Sequence, residues 1–134
     1  IALINVASVL GLLPFPQGGA HYGATKAFVV SLTQALWEEQ RHRGVYVMAL
    51  CPGVTETNFY TMAGGDPAKP PPHAVTQTAE DVVLEALNAL DRRALPVVVT
   101  GWKNRLLVLL MRFLSRKRIA NIMAKAKPHR RTPE

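Results

Sequence analysis

Two short runs, 2–7 and 45–50, are apolar at nearly every position, and the stretch between them is not. A continuous apolar run of that length, bounded by turn residues, suits a strand buried on both faces of a parallel sheet. Over 20–43 the period changes. Phe28, Leu32, Ala35 and Leu36 recur at i, i+4, i+7 and i+8, while Gln34, Glu38 and Arg41 line another side. That spacing predicts a helix with the first set facing the sheet. Gly44, after His42 and Arg43, supplies its stop. A second apolar set, Val29 and Val30 near Trp37, lies off the stripe. Strand, helix, strand within 50 residues is one βαβ unit of a layered α/β sheet.

Pro52-Gly53 ends the second run, and the glycines and prolines of 61–77 predict a loop. Thr78 then caps a helix over 79–91, with Glu80 and Asp81 suiting its positive dipole end. Val83, Ala86, Leu87 and Leu90 form its expected buried stripe. A third strand is expected over 95–100, and beyond Gly101 a helical tail broken near Ser115.

The chain has 134 residues, 49% hydrophobic, enough for one core without staples. Its single cysteine, Cys51, excludes a disulfide framework and a multi-cysteine zinc site. The net charge of +7 is unevenly spread. Residues 92–134 hold twelve of the sixteen Lys and Arg and one acid, Glu134, whereas 1–91 hold four bases and eight acids. No basic segment precedes the first apolar run, Pro14 and Pro16 interrupt it, and Ile1 is too bulky to follow ordinary Met removal. The opening reads as the interior of a larger domain, and the chain as cytoplasmic.

Tyr22 and Lys26 sit one helical turn apart on one face. A free phenol is too weak an acid, with a pKa of about 10, for easy proton exchange at neutral pH. An ammonium beside it favours the phenolate, so the pair suits general acid/base work, with Lys26 also able to donate to a ligand. Ser8, at the carboxyl end of the first strand, could donate to the same carbonyl oxygen, and such strand ends are where open α/β sheets bind ligands. A Tyr-x-x-x-Lys pair alone is an ordinary surface contact. The order of the three residues, each on a fitting element, sets this one apart.

Those residues resemble the short-chain dehydrogenase/reductases. Ile4-Asn5-Val6-Ala7-Ser8-Val9-Leu10-Gly11 resembles the family's serine-bearing strand end, Tyr22-Gly23-Ala24-Thr25-Lys26-Ala27-Phe28 its catalytic helix, and Cys51-Pro52-Gly53-Val54-Thr55-Glu56-Thr57 its nicotinamide segment. The resemblance implies a doubly wound Rossmann sheet and hydride transfer between NAD(P)(H) and a carbonyl or alcohol. Tyr22 would exchange the proton, Lys26 would hold the nicotinamide ribose and tune Tyr22, and Ser8 would steady the carbonyl. Pro52, Gly53, Val54 and Thr57 would shape the nicotinamide pocket, Thr57 bonding the carboxamide. The helix carrying Tyr22 commonly packs against its mate in the family, which implies a homo-oligomer.

Two family features have no counterpart in the 134 residues: the glycine-rich phosphate loop, whose amides and helix end grip a pyrophosphate, and the catalytic asparagine before the serine strand. On this reading residues 1–101 are the carboxyl half of a dehydrogenase domain, with a substrate loop at 58–77, and 102–134 form a basic tail. The choice between NAD and NADP stays open, because the family makes it after a second strand that nothing here resembles. Leu12, Leu13, Phe15, Phe59 and Tyr60 suggest a small hydrophobic carbonyl or alcohol substrate, such as a lipid or ketoacyl chain.

The tail interleaves bases with leucines: Arg105, Arg112 and Arg116 on one side, Leu106, Leu109, Leu110, Phe113 and Leu114 opposite. It reads first as a terminal helix covering the sheet or cleft. A peripheral membrane contact, with the chain as a non-catalytic or membrane-associating module, is the alternative. Nucleic acid is disfavoured, since only Trp102 and Phe113 are there to stack. A serine hydrolase lacks its G-x-S-x-G elbow around Ser8. His21, His42, His73 and His129 form no metal-ligand spacing.

Overall fold

The computed structural model describes residues 1–14, 16, 19–56, 62, 66, 68 and 76–125. In chain order it forms β1 (Ala2–Val6), α1 (Ala20–Gln40), β2 (Tyr46–Cys51), β3 (Val54–Glu56), β4 (Thr76–Thr78), α2 (Ala79–Arg92), β5 (Val97–Val99), α3 (Trp102–Met111) and α4 (Arg116–Lys125). β1, β2 and β5 make a parallel sheet with β2 central, and β3 and β4 pair in parallel as a second, two-stranded sheet.

All six residues of β2 are buried because helices cover both of its faces. Tyr46, Met48 and Leu50 pack with Val82 and Ala86 of α2, while Ala49 and Cys51 pack with Val30 of α1. Burying each large apolar side chain contributes about 1.5–3 kcal/mol. β1 departs from expectation. Among the described residues it is an edge strand, paired with β2 alone, and Leu3 and Val6 are exposed. An apolar run records that a strand suits burial, not which partner covers it.

The faces of both long helices also differ from the expected stripes. On α1, Gly23, Val30 and Thr33 are buried with Trp37 packed on the core, whereas Phe28, Leu32 and Ala35 point outward. Apolar residues on two sides satisfy the helical period twice, so periodicity could not choose between them. A polar hook chooses. Thr33, fully buried, accepts a hydrogen bond from Asn5 Nδ2 on β1 at 2.9 Å and donates to Val29 O at 2.6 Å. The buried Thr33 hydroxyl and the half-buried Asn5 amide meet in this rotation of the helix. α1 ends in a 3-10 turn, Arg41–Arg43, and Gly44 takes the left-handed conformation at φ +74°.

On α2 the stripe turns by one residue: Val82 and Ala86 are buried, with Ala89 and Leu90 beside them, and Val83 and Leu87 are exposed. Thr78 caps the helix, accepting from the Asp81 amide at 3.2 Å. β5 is shorter than the apolar run that announces it, and Tyr46 OH donates to Leu95 O at 2.7 Å just before it. β3 and β4 escaped notice because Val-Thr-Glu and Thr-Gln-Thr are too short to show a period. Ser115 breaks the tail by accepting from the Arg118 amide at 3.4 Å, in the manner of a helix cap.

Burial pushes the Cys51 thiol up to about 11, although the Ser8 amide and the Lys26 charge pull it back in part. Burial also raises the Tyr46 phenol, against the charge of Arg93. An unfolded thiol releases its proton first, so above its ordinary range the unfolded state binds fewer protons than the native one. Stability is therefore whole at neutral pH and is expected to fall as pH rises from about 9 towards 11. Urea titrations across that window check this. Cys51→Ala should flatten part of the decline; an unchanged slope would refute the assignment to Cys51.

Candidate active site

Ser8, Tyr22, Lys26 and Pro52 collect at the carboxyl ends of β1 and β2. The ladder between these strands runs on past β1, with the Ala7 amide donating to Leu50 O at 2.8 Å and the Val9 amide to Pro52 O at 3.0 Å. Those two bonds seat Ser8 against the Pro52-Gly53 segment. Ser8 is buried, and its Oγ accepts from the Leu10 amide at 3.2 Å, capping the short 3-10 turn Val9–Gly11. It thus ends the strand and caps a turn at once. Accepting there does not use the hydroxyl's own proton, which can still be donated.

That turn is pressed onto α1. A Cβ on Gly11 would lie 2.8 Å from the carbonyl carbon and oxygen of Lys26, so only glycine allows the approach. Lys26 in turn donates from Nζ to Val6 O at 3.2 Å, and its Nζ sits 5.7 Å from the centroid of the Tyr22 ring. One ammonium therefore links the end of β1 to the phenol one turn back on α1. Its charge also reaches Cys51, which lies beside the Ser8 amide. Ser8, Tyr22, Lys26 and Pro52 belong to one corner of the molecule.

The remaining expected residues are less uniform. Gly53 is half-buried beneath the side chain of Asn104, whose atoms a Cβ there would strike. Val54 starts β3 and is exposed. Thr57 lies outside the described residues, as do Phe15, Phe59 and Tyr60. Leu13 is buried and Leu12 packs on the core.

A family model described as short chain dehydrogenase matches residues 2–66, the span holding all of these residues. The chain belongs to the short-chain dehydrogenase family. It is 34% identical over 105 residues to the 7beta-hydroxysteroid dehydrogenase of Mediterraneibacter gnavus, covering 78% of this chain and 39% of that protein. The short-chain dehydrogenase of Sphingobium yanoikuyae in complex with NADPH superposes with a TM-score of 0.65 at 30% identity, over 99% of this chain and 48% of that one. The bulky-bulky ketone specific alcohol dehydrogenase from Comamonas testosteroni superposes with a TM-score of 0.59 at 27% identity, over 99% and 45%. The chain spans less than half the length of each of these relatives.

Sequence reasoning missed one set of residues in this short-chain dehydrogenase fold. Glu85 of α2 accepts from the Gly101 amide at 3.1 Å, from Gln77 Nε2 at 3.0 Å and from Arg105 Nη1 at 2.8 Å. Gln77 Oε1 accepts from the fully buried Thr100 hydroxyl at 2.7 Å, and Asn104 Nδ2 donates to Thr100 O at 2.9 Å. The network fastens the end of β5 and the start of α3 to β4, and through Asn104 to Gly53. A glutamate midway along a helix reads as a solvated residue. The available signal was Gly101, which holds φ +79° with Gln77 and Asn104 close against it.

Proposed function

We propose that this chain carries the proton-transfer and substrate-orienting part of an NAD(P)-dependent short-chain dehydrogenase/reductase. The observation that carries the reading is the Lys26 ammonium joining the Tyr22 ring to the β1 carboxyl end beside Ser8. The nicotinamide cofactor, when bound, gives or accepts the hydride. In reduction, Tyr22 gives its phenolic proton to the substrate oxygen as the carbonyl carbon receives hydride, and solvent restores that proton. Ser8 donates to the same oxygen and fixes its position. Donors held in advance around a developing alkoxide stabilise it without reorganising. Lys26 holds its ammonium 5.7 Å from the centroid of the Tyr22 ring. Of its three N–H groups Val6 O takes one, and the others suit ribose hydroxyls.

The chemistry of the donor set fits the reacting end of the cofactor and not its phosphates. By the family resemblance Tyr22 and Lys26 would meet the nicotinamide ribose, and Pro52, Gly53, Val54 and Thr57 would shape the nicotinamide pocket. No glycine-rich phosphate loop occurs in the 134 residues. We therefore read this chain as equivalent to the carboxyl half of the family's domain, alone weak or silent towards NADPH and without turnover. NADPH fluorescence titrated against the purified chain checks this: no saturation in the micromolar range is expected, and micromolar binding would contradict it.

The substrate we infer is a bulky, apolar ketone or its secondary alcohol. Relatives named for a steroid and for bulky ketones support that class. Self-association through α1, which the family resemblance implies, would use Phe28, Leu32 and Ala35, because Val30 and Trp37 face the sheet.

A further inference from the structure

α3 and the turn after it hold an apolar stripe outward with cations on both flanks. Trp102, Leu106, Leu109, Leu110 and Phe113 are all exposed, Trp102 at 64% and Phe113 at 82%. They recur at i, i+4, i+7, i+8 and i+11, an arc of about 100° around a helix. The amides of Arg112, Phe113 and Leu114 donate to the carbonyls of Leu109, Leu110 and Met111, so the stripe continues past the last residue of α3. The opposite face is anchored, by Asn104 on Thr100 O and by buried Met111. The leucines that the sequence suggested would cover the sheet therefore face away from it.

Lys103 borders the stripe on one side, its Nζ 5.7 Å over the Trp102 ring. Arg105 and Arg112 border it on the other, Arg105 paired to Glu85 at 2.8 Å. Exposed Arg116, Lys117 and Arg118 follow at the start of α4. Over 92–134 the sequence contains one acid, Glu134. No described helix is long and apolar enough to cross a membrane.

We propose that α3 and the first turn of α4 dock this protein on an anionic lipid surface, the stripe entering the headgroup boundary while the cations meet lipid phosphates. Apolar side chains at the apex with long basic chains beside them are the arrangement an interface selects. A nucleic acid would find five large apolar groups between itself and the cations. A second copy, packed by two-fold symmetry on the same stripe, would bring like-charged flanks together. The inference needs none of Ser8, Tyr22 or Lys26, so it stands or falls apart from the catalytic reading.

The test uses the 134-residue chain and vesicles of phosphatidylcholine with or without about a third phosphatidylserine. Flotation with the anionic vesicles only is expected, with a blue shift of Trp102 emission that Trp102→Phe removes. Raising salt from about 0.1 M to 1 M, which shortens screening from about 10 Å to 3 Å, should weaken binding. Leu106→Glu with Leu110→Glu, both at exposed positions, should keep the circular dichroism of the fold and lower binding at least about tenfold. Failure of the folded chain to bind anionic vesicles overturns the proposal. So does binding that the double variant retains, or that duplex DNA matches with equal affinity, since either places contact on the cations alone. A dimer in lipid-free solution that the double variant abolishes overturns it too, by assigning the stripe to a second copy.

Discussion

Tyr22→Phe is expected to lower carbonyl reduction by about 10²–10⁴-fold, the usual contribution of a positioned acid/base. The assay requires a completed enzyme, meaning this chain joined behind a glycine-loop half-domain from another member of the family. Removing the phenol oxygen deletes the proton donor while leaving the ring under Lys26 Nζ, 5.7 Å from its centroid. The loss should therefore fall on kcat, with KM and NADPH affinity little changed. Lys26→Met should behave differently. It removes the donor to Val6 O as well as the charge beside Tyr22, so cofactor affinity and kcat should fall together. Equal loss of both parameters in the two variants would place Tyr22 outside the proton transfer.

The second large effect is structural and falls on Gly11. A methyl group there meets the backbone of Lys26 at 2.8 Å and the Ala27 amide at 3.1 Å, and backbone cannot swing aside as a long side chain can. Gly11→Ala is expected to destabilise the chain by about 1–3 kcal/mol, the ordinary cost of overpacking a closed contact. Urea unfolding monitored by circular dichroism measures it. The relief available to the fold is to lift the Val9–Gly11 turn off α1, which carries Ser8 away from Lys26. The completed enzyme should accordingly lose activity in this variant even at temperatures where it stays folded. A variant as stable and active as the parent would show that Gly11 is not the pivot between the Val9–Gly11 turn and α1.

The corner that holds Ser8, Tyr22 and Lys26 was more legible than the packing around it. Ser8, Tyr22 and Lys26 were read from residue type, order and position on their elements, because acid/base chemistry needs particular groups at particular spacings. Which face of α1 meets the sheet was not legible. Val30 with Trp37 and Phe28 with Leu32 offer two apolar faces, and the deciding contact, Asn5 to Thr33, joins residues 28 apart in sequence. α2 misled in the same way, since Val82–Ala86 and Val83–Leu87 keep the same spacing. The Glu85 network was hidden for a related reason. Each of its members looks like a surface residue until β4, α2 and α3 converge. Local pattern sets which elements form; long-range polar pairs set how they turn.

The proton-transfer role proposed for Tyr22, Lys26 and Ser8 in carbonyl reduction is tested most directly by isotope transfer in the completed enzyme. The reactants are NADPH carrying deuterium at the transferring carbon of the nicotinamide and a bulky apolar ketone. Mass spectrometry of the alcohol should find deuterium on the carbinol carbon, with product formation collapsing in Tyr22→Phe. A completed enzyme that folds and binds NADPH but forms no labelled alcohol, or forms it equally well with Tyr22→Phe, would contradict that role.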